Sequence, residues 1–282
     1  MSRIPLTTTK SPPIWIRMSS VPPIPLLEIK NVEICYSGTP VISELSLSVR
    51  KGEILSIVGE SGSGKSTLIN AVMGLLGSDG HVSKGKIFFK GKNLLSLSPE
   101  ARRRTRGPEM GMVFQNHASS LCPIRTIGAQ YYEAVRAHRK INRNEVEDMA
   151  AAIFEGMNLK DASRILASYP FELSGGMSQR VGIAMAMLLE PDLLLTDEPT
   201  SALDVIVKAM VSNELKTLRN EKETSIVMVT HDIGLAAIFS DNIAVLNKGR
   251  LVEYGATSSI INDPQDDYTR ELIRAVPRIF KR

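Results

Sequence analysis

A lysine and a serine stand at the end of a run dense in glycine. From Val58 to Thr67 the chain reads VGESGSGKST, and Gly59 to Ser66 spell G-x-x-x-x-G-K-S directly after the apolar run EILSIV. Glycines at 59, 62 and 64 open backbone angles closed to other residues. The N–H groups of Ser61, Gly62, Ser63, Gly64, Lys65, Ser66 and Thr67 can then converge on one anion. A helix starting near Lys65 adds its positive N-terminal end. Lys65 meets the outer phosphate oxygens, and the Ser66 hydroxyl is offered to Mg2+. The chemistry that fits this pattern is a grip on a nucleoside triphosphate.

A held triphosphate needs a carboxylate for its metal and a base for water. The stretch LLLTDEP supplies both at the tip of an apolar run. Asp197 would hold Mg2+, directly or through water, and Glu198 would polarise the attacking water. The stretch LSGGMSQR, Leu173 to Arg180, again opens a helix with Ser-Gly-Gly, a second anion-binding terminus far from the first in sequence. One nucleotide does not need both from one subunit. A head-to-tail dimer uses both: Ser174, Gly175 and Gly176 of each chain cover the triphosphate on the partner's first site. ATP then joins the subunits and hydrolysis releases them.

The elements that must position these groups follow from periodicity. LLEIKNVEICYS and VISELSLSVR alternate apolar and polar residues, which argues antiparallel strands. KGEILSIVG is a strand ending in glycine, KSTLINAVMGLL has helical apolar spacing, and HVSKGKIFFKGKNL reads as another strand pair. From about 116 to 187 the chain turns helical, with VEDMAAAIFEGMNL and SQRVGIAMAMLLE. DLLLTDEP is a continuous apolar strand of the kind buried in a parallel sheet. DVIVKAMVSNELKTLRN is a helix with Asp204 as its N-cap, and TSIVMVTHD and DNIAVLNKGRLVEYG are further strands. The alternation predicts an α/β fold: a P-loop NTPase core on a mostly parallel sheet, an antiparallel β subdomain and a helical insertion.

Composition sets the outer bounds. The chain has 282 residues, 43% of them hydrophobic, enough for one large domain or two modest ones. The net charge of +4, from 34 basic and 30 acidic residues, describes a solvated mixed surface and no nucleic-acid partner. Cys35 and Cys122 lie far apart and match no metal spacing, as expected for a reduced intracellular chain. No stretch reaches the roughly 18 uncharged apolar residues of a membrane span. Residues 1–26 are Pro-rich and lack an unbroken apolar segment. They read as a flexible extension and not as a secretion signal, with Met18 as an alternative start.

The ordered set GESGSGKST, FQ, LSGGMSQR, LLLTDEPTSALD and THD resembles the nucleotide-binding subunit of an ATP-binding cassette (ABC) transporter, over roughly residues 27–282. The resemblance implies an ABC ATPase domain at 27–265, with its helical subdomain at about 116–187, and a tail at 266–282. It implies that Tyr36 stacks on adenine and that Gln115 touches Mg2+ and the attacking water. Ser174, Gly175 and Gly176 would bind the partner's γ-phosphate, with Met177 where many members have Gln. The SALD loop, ending at Asp204, would run across the dimer interface. His231 would contact the γ-phosphate and position Glu198 and the water.

The tail INDPQDDYTRELIRAVPR resembles the end of subunits that serve oligopeptide, dipeptide and nickel importers, where Pro-x-His-Pro-Tyr-Thr-x-x-Leu is typical; here Asp266 and Asp267 replace His-Pro. MVFQNHASSLCPIRTIGAQ resembles the same branch, with Asn116-His117 and Cys122 as departures. No Cys follows Cys122, so the iron–sulfur centre of some relatives is not expected. The implied assembly has two integral membrane permeases, a second ABC ATPase chain and an external solute-binding protein. This chain would sit peripherally on the cytoplasmic face of the inner membrane, use ATP and Mg2+, and drive uptake of peptides or nickel. The alternatives are an exporter ATPase or an importer of another solute.

Overall fold

The computed structural model describes residues 24–115, 120–199 and 205–276. Most of the N-terminal extension, Asn116-His117, the SALD loop with Asp204, and the last six residues lie outside them.

Among the described residues, ten strands form two sheets. β1 (Leu27–Tyr36), β2 (Thr39–Val49), β4 (Gly80–Phe89) and β5 (Lys92–Asn93) make an antiparallel sheet in the order β2-β1-β4-β5. The strand pair expected from HVSKGKIFFKGKNL is therefore lopsided, its second member only two residues long. The second sheet has the order β10-β9-β3-β8-β7-β6. It contains β3 (Ile54–Val58), β6 (Met110–Val113), β7 (Leu193–Asp197), β8 (Ser225–Thr230), β9 (Asn242–Asn247) and β10 (Arg250–Ala256). All its pairings are parallel except that of β10 with β9. Every residue of β3, β7 and β8 is buried, as their continuous apolar sequences require.

Because side chains alternate across a sheet, the same strands feed two cores. Leu55, Ile57, Leu193, Leu195, Val227 and Val229 pack with the antiparallel sheet and helix α1 (Lys65–Met73). Ile54, Leu194, Ile226 and Met228 face the other way, into the helical part of the chain. That part contains α3 (Ile127–Arg136), α4 (Arg143–Gly156), α5 (Ala162–Ala167) and α6 (Gly175–Met187), and α2 (Pro99–Thr105) precedes it. α4 starts earlier than its apolar spacing suggests, because Asn142 and Glu145 close a capping box. α1 stops at Met73, where Gly74 turns left-handed at φ 66°. The chain continues with α7 (Val205–Lys222), α8 (Ile233–Phe239), α9 (Thr257–Asn262) and α10 (Asp267–Arg274). Among the described residues no helix is long and apolar enough to cross a membrane.

A buried ion pair fastens the helical part to the core. Arg180 on α6 grips Glu214 on α7 with two nitrogens, at 3.1 and 2.7 Å, and also donates to the Met157 carbonyl at the end of α4. Burial raises the Glu214 carboxyl above its ordinary range, and Arg180 opposes that shift. Truncating one partner leaves a buried charge alone. Glu214→Ala is expected to lower unfolding free energy by about 3 kcal/mol, seen as a lower urea midpoint at unchanged slope. A loss below about 1 kcal/mol would mean that the pair is dispensable.

Candidate active site

Strand register decides which loops meet. In the parallel sheet Val58 lies opposite Thr230, Asp197 opposite Val229, and Val113 opposite Thr196. Four strands thus end nearly level, and their next residues leave the same edge. The carboxyl edge of an open parallel sheet is where such folds place ligands. Here it gathers the glycine loop after β3, Phe114-Gln115 after β6, Glu198 after β7 and His231 after β8.

The loop itself corrects one expectation. Gly62 and Gly64 have φ values of +81° and +100°, angles that favour glycine, but Gly59 is not among the positive-φ glycines. Gly59 is needed for space: a Cβ there would collide with the backbone carbonyl oxygen of Leu246 on β9. Gly64 caps α1, so the helix opens on the loop with no side chain in front of it.

Lys65 is buried and donates to the carbonyls of Gly59 and Glu60, both at 2.7 Å. Burial lowers its pKa, while the charges of Glu198, Asp197 and Glu60 hold it up. The Ser66 hydroxyl donates to Asp197 Oδ1 at 2.9 Å. Burial raises the Asp197 carboxyl; the Ser66 bond and Lys65 oppose the rise, while Glu198 adds to it.

Glu198 turns out of β7 in the left-handed region at φ 45°, with its N–H bonded to the Val229 carbonyl at 2.9 Å. Such a backbone costs about 1–3 kcal/mol and persists where the surroundings impose it. Two other groups reach its carboxylate. Gln115 Nε2 donates to Oε2 at 3.3 Å, and His231 Nδ1 lies 3.2 Å from Oε1. Sequence reasoning overlooked Asp232: its N–H donates to Thr230 Oγ1 at 3.0 Å and its carboxylate caps α8 at Leu235 N, 2.9 Å, which fixes the turn carrying His231. The N-cap residue type was the available signal.

Tyr36 and Ser174–Gly176 come from other elements, and Asp204 lies outside the described residues. Tyr36 ends β1 opposite Gly80, with its ring beside that glycine. Ser174 caps α6 by accepting from Met177 N at 3.3 Å, and Gly175 and Gly176 begin the helix. No hydrogen bond or ion pair among the described residues joins Ser174–Gly176 to the glycine loop.

The model of the ABC transporter family matches residues 42–201, more than half of the chain. The chain belongs to the ABC transporter family. This ABC protein is 38% identical to the oligopeptide transport ATP-binding protein AmiE of Streptococcus pneumoniae, over 84% of the chain and 67% of the relative. It is 37% identical to the dipeptide transport ATP-binding protein DppD of Bacillus subtilis, over 90% and 77%. The Escherichia coli oligopeptide transport ATP-binding protein OppD is 38% identical, over 90% and 76%. Among solved structures, cbiO1 of Clostridium perfringens, part of the ABC transporter complex cbiONQ, superposes with a TM-score of 0.75 at 25% identity, covering 90% of this chain and 97% of that one. MJ0796, a bacterial ABC transporter cassette solved as a dimer bound to ADP and Pi, gives 0.72 at 29% identity over 82% and 98%. The ABC chain is an ATPase with the cassette fold.

The crowding at Gly59 makes a direct prediction for this ABC ATPase. Gly59→Ala must push the loop away from β9, so nucleotide affinity is expected to fall at least about tenfold and stability by about 1–3 kcal/mol. Titration with a fluorescent ATP analogue and urea unfolding measure the two losses; wild-type values in both would rule out the collision.

Proposed function

We propose that this chain is the ATP-hydrolysing subunit of a peptide importer, with the carboxyl edge of its parallel sheet as the hydrolytic site. One observation carries the reading: Glu198 sits at the end of β7 with Gln115 and His231 on its two oxygens, beside the Ser66–Asp197 contact and the Lys65 loop. A base, its orienting groups, a metal-binding oxygen pair and a phosphate cradle converge from four loops.

The residues suit Mg2+. Ser66 Oγ and Asp197 Oδ1, brought together by their 2.9 Å hydrogen bond, are the hard oxygen donors that Mg2+ takes. Gln115 would complete the protein's share. Mg2+ held there would supply neutralisation of charge on the β- and γ-phosphates. The chain's own groups do the rest. The N–H groups from Ser61 to Thr67 and the start of α1 hold the phosphates. Lys65 exchanges the Gly59 and Glu60 carbonyls for phosphate oxygens. Glu198 takes the proton of the water that attacks the γ-phosphate in line, while His231 and Gln115 keep its carboxylate turned toward that water. Tyr36 offers its ring to adenine.

Ser174, Gly175 and Gly176 serve a different nucleotide, the one held by a second cassette chain facing this one. Asp204, expected from the sequence at the dimer interface, lies outside the described residues. ATP closes the pair and hydrolysis opens it, and the helices of the insertion pass this motion to two membrane permeases at the cytoplasmic face. An external solute-binding protein delivers the cargo. The oligopeptide and dipeptide relatives favour peptides as that cargo over nickel.

Two measurements test this. Glu198→Gln should keep ATP affinity within about threefold and lose turnover by about 10²–10⁴-fold, the usual worth of a general base; retained turnover would move the base elsewhere. Isolation of the native complex from membranes should bring down two permeases, a second cassette chain and a peptide-binding protein. A chain recovered alone would leave the ATPase and remove the importer.

A further inference from the structure

The C-terminal helix reaches the phosphate-binding loop, and nothing in the proposed hydrolysis uses that contact. The Glu60 N–H donates to the Tyr268 hydroxyl at 3.0 Å, across a sequence separation of 208 residues. On the same residue, the Glu60 carbonyl accepts from Lys65 Nζ at 2.7 Å and from Ser63 N at 3.2 Å. Glu60 is therefore the residue where the tail, the lysine and the inner turn of the loop meet.

Tyr268 is itself well held. Asp266, one of the two acids in the place of His-Pro, caps α10 by accepting from Tyr268 N at 2.9 Å and Thr269 N at 3.4 Å. Glu253 on β10 accepts from Gln265 N at 2.8 Å and Asp266 N at 3.3 Å, which ties the start of the helix to the sheet. Tyr268, Leu272, Ile273 and Val276 then pack on a cluster containing Val58, Ile233 and Ala236. Val58 is the residue before Gly59; Ile233 and Ala236 belong to α8, the helix that follows His231. Burial raises the Tyr268 phenol, against the Glu60 N–H bond that lowers it, so the hydroxyl stays neutral at working pH.

We propose that Tyr268 is a positioning residue for the phosphate-binding loop: its hydroxyl fixes the Glu60 peptide, and through α10 it ties the loop to the helix behind His231. The tail thereby braces two of the four loops that meet at the reacting phosphate. The inference rests on the ATP-site reading above, but the contact itself can be tested without nucleotide.

Tyr268→Phe removes one oxygen and leaves the ring in its cluster. Tyr254→Phe is the control, because the Tyr254 hydroxyl donates to the Ser48 carbonyl at 2.8 Å on the antiparallel sheet. Each variant loses one hydrogen bond of ordinary worth. In the nucleotide-free full chain, amide hydrogen exchange over residues 59–64 is expected to quicken in Tyr268→Phe and not in Tyr254→Phe. ATP affinity should fall about 2- to 10-fold in the first variant alone, the equivalent of one net hydrogen bond. Unchanged exchange over the loop would overturn the contact. Faster exchange with unaltered ATP affinity, or equal losses in both variants, would reduce Tyr268 to a packing residue. Failure of the wild-type chain to bind ATP would count against the hydrolytic site, while the exchange result still decides the contact.

Discussion

The parallel pairing of β3, β8, β7 and β6 is the constraint on which the rest depends. β3, β8 and β7 are held on both sides by backbone hydrogen bonds and β6 on one, and apolar side chains cover both faces, so none can slide without burying polar groups. Fixed register makes the four strand ends level. Loops leaving level ends of neighbouring strands set their early residues side by side, and in strand order those residues are Gly59, His231, Glu198 and Gln115. The site is thus a consequence of hydrophobic burial several residues away. The antiparallel sheet and the helical insertion cover the two faces and keep water off the strands.

Much of this was legible in the chain. Glycine spacing, a lysine and a hydroxyl identify an anion cradle because few other functions use those types together. The apolar run before Asp197 and Glu198 places two acids at a strand tip. Burial on both faces explains why that run lacks alternation. What escaped reading has physical reasons as well. MGMV is too short for periodicity to distinguish a strand, and helices of six to eight residues such as Ala162–Ala167 and Thr257–Asn262 carry too few turns to show an apolar stripe. Glycine was credited with freedom of angle at Gly59, where the structure shows that closeness to Leu246 excludes a side chain. A sequence displays residue type and says nothing of what stands opposite.

Long-range contacts formed the other blind spot. Tyr268 looked like part of a branch signature, and only the fold sets its hydroxyl against Glu60. The acids that replace His-Pro, seen in sequence as a departure, have local work: Asp266 caps the helix and Asp267 pairs with Arg270 in its first turn. Carboxylates suit a helix start because exposed N–H groups and the helix dipole both favour negative charge there.

Lys65 has partners within its own loop. Its ammonium rests on two carbonyls of its own loop. On the proposed ATP-site reading, a phosphate would take the lysine by exchange, trading two neutral acceptors for charged ones, and the gain would be the difference between them. The reverse trade is equally available when product leaves. By giving the cation somewhere to go, the loop would moderate the gain on binding and ease the release that a repeating cycle needs.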